Sequence, residues 1–597
     1  MSLLLRKTCT AGAVAALLVA TVLFGQDTRH VTEPVFPQTC TTLAAQLTIV
    51  EGEPSSETAF DTGRVQKAME GCGKGKAVEL VASGSNDAFL IQPISIPSGV
   101  TLVVDAGVTV FGSRNPQDYQ KIGAPETCGV NSNHGGGCRA LIVVNDNKPS
   151  NGSGVMGYGV IDARADRKLI VDGKVGPKSW WDLAADTYLV KPMTDQNNPL
   201  VIYAQKANNF TLYKITVKNG PMFQIKWSGS KGSPVTRGFT AWGVKVITPY
   251  WARNTDGIDP VDNIADVTIT DSYISNGDDF VAFSANGVGN PVMNATVSHV
   301  HTYSGRGLSL GSGGAGGFAN ILFDHIDQAG QPKDKSGNGF RIKTASDRGN
   351  LTENITFENI CQQDEQFAIR LDTFYQKTEK TDFIPTYKNI LIKNVTILDP
   401  NGSPGEFRFQ GWDAAHASTV TLDNVNVSGT PKIKDPMNTH FTITGGQSTP
   451  WLTKITGPNV TYAGSATEPA EKPYPCSALN FVPLAAELFV SITTSGPKET
   501  NLQAASVAKG TPFTLNAVLE PADTEYPVPT LPVTFYEGAK AVGTATIGGP
   551  GNNGTLATLT LQNVNAGSHT YTAEYPKDKH YAYPIPLKFG TVTVSVQ

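Results

Sequence analysis

The chain of 597 residues amounts to about four domains at roughly 150 residues each, unless part of it is a long repeat array. Apolar residues make up 40% and charged residues 17%, with 60 glycines and 38 prolines; this excludes a disordered chain, a collagen and a coiled coil, and points to β structure with many tight turns. A net charge of -5, with no long basic run, argues against nucleic acid as a partner.

Arg6 and Lys7 precede an apolar stretch from Ala11 to Phe24, which ends at Gln26 to Arg29. That is the pattern of an export signal, too short to span a bilayer comfortably. A leader over residues 1–25 is expected, followed by a secreted (extracellular or periplasmic) monomer that has no membrane attachment once the leader is gone. Beyond Cys9 the cysteines are Cys40, Cys72, Cys128, Cys138, Cys361 and Cys476, an even set that suits disulfides after export. Cys128 and Cys138 flank a glycine-rich loop and are expected to pair. Cys40 with Cys72 and Cys361 with Cys476 complete a working assignment, since spacing alone does not decide connectivity. There is no Cys-x-x-Cys spacing, so zinc and thiol redox chemistry are not expected; no cofactor and no metal are expected either.

The segment from Phe60 to Cys72 reads as a helix that caps the first turn of a solenoid. Val100–Val104 and Gly154–Asp162 read as early, irregular coils. From about residue 200 a pattern recurs: a polar anchor, then alternating apolar and polar positions. Its anchors are Asn209, Arg237, Asp266, Asn294, Asn320, Asn354, Asn389 and Thr419, at intervals of 28, 29, 28, 26, 34, 35 and 30 residues. One coil of a parallel β-helix per repeat explains this, with rungs about 4.8 Å apart and apolar positions lining the bore. After Cys476 the texture changes to cysteine-free strands at sandwich-like spacing, such as Phe513 to Leu519 and Gly590 to Val596. This resembles the bacterial immunoglobulin-like domains appended to exported proteins; a spacer is favoured over an adhesive or targeting role, because no aromatic cluster marks a sugar platform. The expected organisation is all-β: a β-helix over residues 40–481 and an immunoglobulin-like β-sandwich over residues 484–597.

Four motifs fall on successive coils: Asn254-Thr-Asp-Gly-Ile-Asp259, Asn276-Gly-Asp-Asp-Phe280, Gly305 to Ser312, and Arg341-Ile-Lys-Thr344. The intervals are 23 residues from Asp256 to Asp279, 27 on to Arg306 and 35 on to Arg341. They place three carboxylates and two or three cations in one vertical stripe. Each motif alone could be a turn, since Asn, Asp and Gly are turn residues; together at one-coil spacing they fit cleavage of an acidic polysaccharide. That chemistry needs a carboxylic acid to protonate the leaving oxygen and a carboxylate to activate water, the pair standing about 6.5–9.5 Å apart for inversion. Asp256 and Asp278 are expected near that separation, and crowding is expected to raise one pKa. Asp278 and Asp279 both reach the groove only if Asn276-Gly277 bends the backbone. A calcium set of Asp256, Asp259, Asp262 and Asp266, as in a lyase, is the metal alternative; a non-catalytic sugar-binding β-helix is the rival class.

The motif order resembles glycoside hydrolase family 28, the polygalacturonases and their relatives, over most of residues 45–480. The resemblance implies a right-handed parallel β-helix, an inverting mechanism and a pectic substrate with α-1,4-galacturonosyl linkages; rhamnogalacturonan and xylogalacturonan remain alternatives. It further implies Asp278 as general acid, Asp256 and Asp279 as activators of water, Arg341 and Lys343 as ligands of the galacturonate carboxylate, and Tyr375 as a sugar contact. Arg306 stands where the family usually has histidine, and as a permanent cation it cannot shuttle protons near neutrality. It is expected to bind substrate and hold the acidic cluster, with an altered pH dependence; His301 is a partial substitute or a surface histidine. Inserts at residues 112–140 and 163–199 are long enough to close one groove end, a hint of exo action.

Overall fold

The computed structural model describes residues 26–50, 52–189, 194–330, 337–376, 378–398, 405–446, 451–464, 474–476, 487–494, 504–520, 532–546, 556–574 and 592–597. The expected leader lies outside the described residues. Among these, no helix is long and apolar enough to cross a membrane.

The repeat winds as a parallel β-helix. Successive coils add strands to one sheet of 20 and another of 11, parallel throughout their described pairings. Register puts like on like: Phe239, Val267, Ala295, Ile321, Ile355 and Ile390 stand one above another, all buried. Alternation explains this column, since every second side chain of a strand turns into the bore. Aromatic rings fill the bore beside it, with Phe357 stacked on Phe323 at 4.8 Å and on Phe340 of the other sheet at 4.3 Å.

The polar anchors form a ladder. Asn320 donates to Asn294 at 3.1 Å, Asn354 to Asn320 at 3.1 Å and Asn389 to Asn354 at 3.2 Å. All four have positive φ, near 50–60°, which Asn tolerates better than most residues. One anchor is corrected: the residue level with Asn209 and Asp266 is Gly238, with φ 88°, rather than Arg237. Glycine is required there because a Cβ would stand 2.3 Å from Asn209 Oδ1. A second ladder, Asn424 to Asn394 to Asn359 to Asp324, runs at the next bend.

The segment expected to cap the first turn holds a helix, α1 (Thr62–Glu70), which buries Val65 and Met69 in the same core as the early coils. The Asp61 carboxylate accepts from Leu90 N at 2.9 Å, fixing the helix start to those coils. All three assigned disulfides form: Cys40–Cys72, Cys128–Cys138 and Cys361–Cys476. The insert at 163–199 carries a second helix, α2 (Trp180–Leu189). In the C-terminal region, one sheet holds Glu487–Thr494, Phe513–Glu520 and Leu556–Leu561, and another has five strands. The two share a core that includes Leu515, Phe535, Tyr571 and Val594, as in a β-sandwich.

Candidate active site

The sheet of 11 carries the site. Strand Ile258–Val261 is followed, coil by coil, by Val281–Phe283, Leu308–Gly311, Asn338–Lys343 and Phe367–Asp372. Asp256 and Asp279 lie at the entrances of the first two, on loops linked by a Gly257 N–H to Asp279 carbonyl bond of 2.9 Å. The expected bend is present between the strands Tyr273–Ser275 and Val281–Phe283. Gly277 N donates to Thr255 Oγ1 at 3.0 Å, and Asn276 Nδ2 donates to the Asp279 carbonyl at 2.8 Å. Only glycine fits at 277, since a Cβ would stand 2.0 Å from the Ala252 carbonyl oxygen. The bend takes the strand alternation away, so Asp278 and Asp279 both reach a cleft of about 650 Å³ together with Asp256.

The carboxylates are tightly gathered. Asp256, Asp278 and Asp279 each offer an oxygen within 4.8 Å of the others. The bend brings Asp278 and Asp279 beside Asp256, and two cations offset the crowded charge. Arg341 donates to one Asp279 oxygen, and Lys343 donates to the other at 2.8 Å. Arg341 is itself aimed by a 2.7 Å bond from Nε to Ser309 Oγ. Arg341 and Lys343, expected to grip substrate, are therefore paired with Asp279 here. They also stand in a different column from Arg306: register sets Arg341 beside Ser309 and Lys343 beside Gly311, three and five residues further along the rung. The single stripe inferred from spacing is thus two adjoining columns, because the longer third interval shifts the register.

Electrostatics split the cluster. Burial raises Asp256 well above the usual carboxylate range, reinforced by the charges of Asp278, Asp259 and Asp279. Burial, then Asp279, raises Asp278, while Arg306, Lys343 and Arg341 draw it back. For Asp279 burial also pushes upward, but Arg341 and Lys343 outweigh it and hold the carboxyl below its ordinary value. Burial also raises Asp259 well above that range, against the pull of Lys226. Asp256 Oδ1 and Asp259 Oδ1 are buried without a hydrogen-bond partner among the described residues, which is costly unless those groups stay protonated or meet substrate or water.

The remaining expected residues fall as follows. Tyr375 lines the cleft, its ring 5.5 Å from Lys343 Nζ. Arg306 is exposed at the rim. His301 is on the other sheet, stacked on Tyr273 at 5.5 Å and 3.8 Å from Asp327, so it does not replace a site histidine. The calcium set is dispersed: Asp266 pairs with Arg237 at 2.7 Å, and Asp262 accepts from Asn286 N at 2.6 Å. Lys226, Tyr188, Trp251 and Arg253 also line the cleft and were not singled out from the sequence. Arg253 directly precedes Asn254 and Trp251 lies two residues before it, so nearness to the first motif is the sequence signal that could have found them.

The comparisons agree with this geometry. The model of glycosyl hydrolases family 28 matches residues 72–446, and that of a bacterial Ig-like domain (group 3) matches residues 500–597. A polygalacturonase of Ralstonia nicotianae is 35% identical over 73% of this chain and 88% of its own length. An endo-polygalacturonase of Pectobacterium carotovorum subsp. carotovorum is 36% identical over 68% and 90%. Among solved structures, a polygalacturonase from Erwinia carotovora ssp. carotovora matches with a TM-score of 0.59 and 34% identity, over 70% of this chain and all of the other. A family 28 exopolygalacturonase from Yersinia enterocolitica, 21% identical with a TM-score of 0.53, over 71% and 78%, shares the fold. The chain is a member of glycoside hydrolase family 28 that carries an immunoglobulin-like domain at its C-terminal end.

Proposed function

We propose that this hydrolase cleaves α-1,4-galacturonosyl linkages in pectic polysaccharide by acid/base catalysis. The observation that carries the reading is the electrostatic split: Asp278 is raised and Asp279 is lowered, the pairing that lets one carboxyl donate a proton while its neighbour stays ionised. Protonated Asp278 gives its proton to the glycosidic oxygen as the bond from that oxygen to the anomeric carbon breaks. A water held by Asp256 and Asp279 attacks that carbon and releases its proton to this pair, which titrates as a unit. The substrate carboxylate shares Arg341 and Lys343 with Asp279, and Arg306 and Tyr375 contact the sugar. The curated relatives named above support galacturonan as substrate, and the Pectobacterium relative supports internal cleavage.

The proposed organisation is a leader at 1–25, a catalytic domain over 40–481 and a spacer-like sandwich over 484–597, exported as a monomer. Three disulfides support an oxidising destination. The test is to incubate the enzyme with polygalacturonate and a calcium chelator. New reducing ends, no unsaturated ultraviolet-absorbing product and β-anomers appearing first by NMR are expected. Unsaturated ends indicate a lyase, α-anomers first indicate retention, and no products indicate a binder.

A further inference from the structure

The cleft has a second cationic wall, built by elements outside the four motifs. Arg253 lies in the loop leading into strand Ile258–Val261, whereas Arg341 and Lys343 lie on Asn338–Lys343, three coils later. Arg253 thus shares a loop with Asp256, one coil before Asp278 and Asp279, while Arg341 and Lys343 reach Asp279 from two coils beyond it. Arg253 is held in place from α2: its guanidinium lies 4.0 Å from the Tyr188 ring centre and donates to Thr187 Oγ1. Both Asp278 and Arg306 act electrostatically on it. Beside it, Trp251 is 58% exposed although it rests edge-on against Trp181, ring centres 5.1 Å apart. An exposed indole braced from one side, at the mouth of a polar cleft, offers a flat amphipathic surface to a ligand.

We infer that Trp251 and Arg253 form a second uronate-binding subsite on the N-terminal side of the aspartate cluster: a pyranose ring stacks on the indole and its carboxylate meets the Arg253 guanidinium. Tyr188 and Thr187 are positioning residues that hold Arg253 toward the groove. Substrate is thereby held by charge on both sides of the reacting bond, so that the chain is oriented over Asp278 before proton transfer. This inference rests on the galacturonan-hydrolase reading and deepens it.

The test titrates hexagalacturonate calorimetrically into protein bearing Asp278→Asn, and into the same protein with Trp251→Ala, Arg253→Gln or Arg253→Lys added. Trp251→Ala and Arg253→Gln are each expected to raise Kd by about tenfold, a loss of one charge-assisted or stacking contact. Arg253→Lys is expected to recover most of the lost affinity, because the charge remains. Trp251 is largely exposed, so its replacement leaves the fold intact and keeps the test readable. Unchanged Kd in Trp251→Ala and Arg253→Gln overturns the subsite, and a Lys variant as weak as the Gln variant overturns the carboxylate role of Arg253. If the wild-type enzyme neither binds nor cleaves galacturonan, the functional reading fails instead.

Discussion

Asp278 and Asp279 are neighbours in the chain and occupy opposite electrostatic environments. Both oxygens of Asp279 are taken by Arg341 and Lys343, whereas Asp278 receives its own neighbour's N–H at 3.0 Å and a 3.4 Å approach from Asn254 Nδ2. Burial without direct cation contact therefore favours the protonated form of Asp278, and cation contact favours the ionised form of Asp279. Arg306 modulates the balance, since its charge lowers Asp278. A general acid works below its pKa, so the alkaline limb of kcat/KM marks Asp278 losing its proton. Arg306→His removes a permanent charge and leaves an imidazole that is neutral above its own pKa. Asp278 then rises, and the alkaline limb is expected to move to higher pH. A pH profile of kcat/KM for both enzymes checks this; an unmoved or acid-shifted limb contradicts the role given to Arg306.

At the scale of elements, the coils are fixed by what repeats at their bends. Asn320 sits at φ 60°, accepts from Asn354 and donates to Asn294. Alanine at this position loses both bonds and is forced into a left-handed conformation it disfavours, while glycine loses only the bonds. Asn320→Ala is expected to destabilise the β-helix by about 1–3 kcal/mol and Asn320→Gly by less, as read from denaturant melts. Equal losses would mean that backbone conformation plays no part in the ladder.

The periodic anchors made the coils legible because each bend must solve the same backbone problem, and Asn solves it repeatedly. The Arg237 anchor failed for a related reason: glycine meets the conformational demand without presenting a polar side chain, so Gly238 left no mark on the pattern. The motif spacing also carried the aspartates, since one coil is close to one fixed length. It misaligned Arg341 with Arg306, because a longer coil hides how many of its residues lie in the bend and how many in the strand.

Across the whole molecule, the site draws on segments far apart in sequence. The aspartates were readable because their motifs are local and regular. Lys226, Tyr188 and Arg253 were not, because nothing local shows that α2, inserted between coils, leans over the groove near strand Ile258–Val261; only the folded chain brings Arg253 to Tyr188. How closely the carboxylate oxygens gather was equally hidden, since it depends on how far the Gly277 bend turns the backbone. The Cys128–Cys138 pair was legible from its short glycine-rich loop, whereas spacing did not decide the other two, and Cys361–Cys476 spans 115 residues of chain.

These long-range contacts serve one central claim, that a protonated Asp278 acts beside an ionised Asp279. It is tested most directly by kcat of Asp278→Asn on polygalacturonate, measured alongside its thermal melt. A fall of about 10²–10⁴-fold is expected, the usual worth of a general acid, with the melt unchanged or shifted upward as a buried titrating group is removed. A variant that folds normally and turns over at the wild-type rate would contradict it.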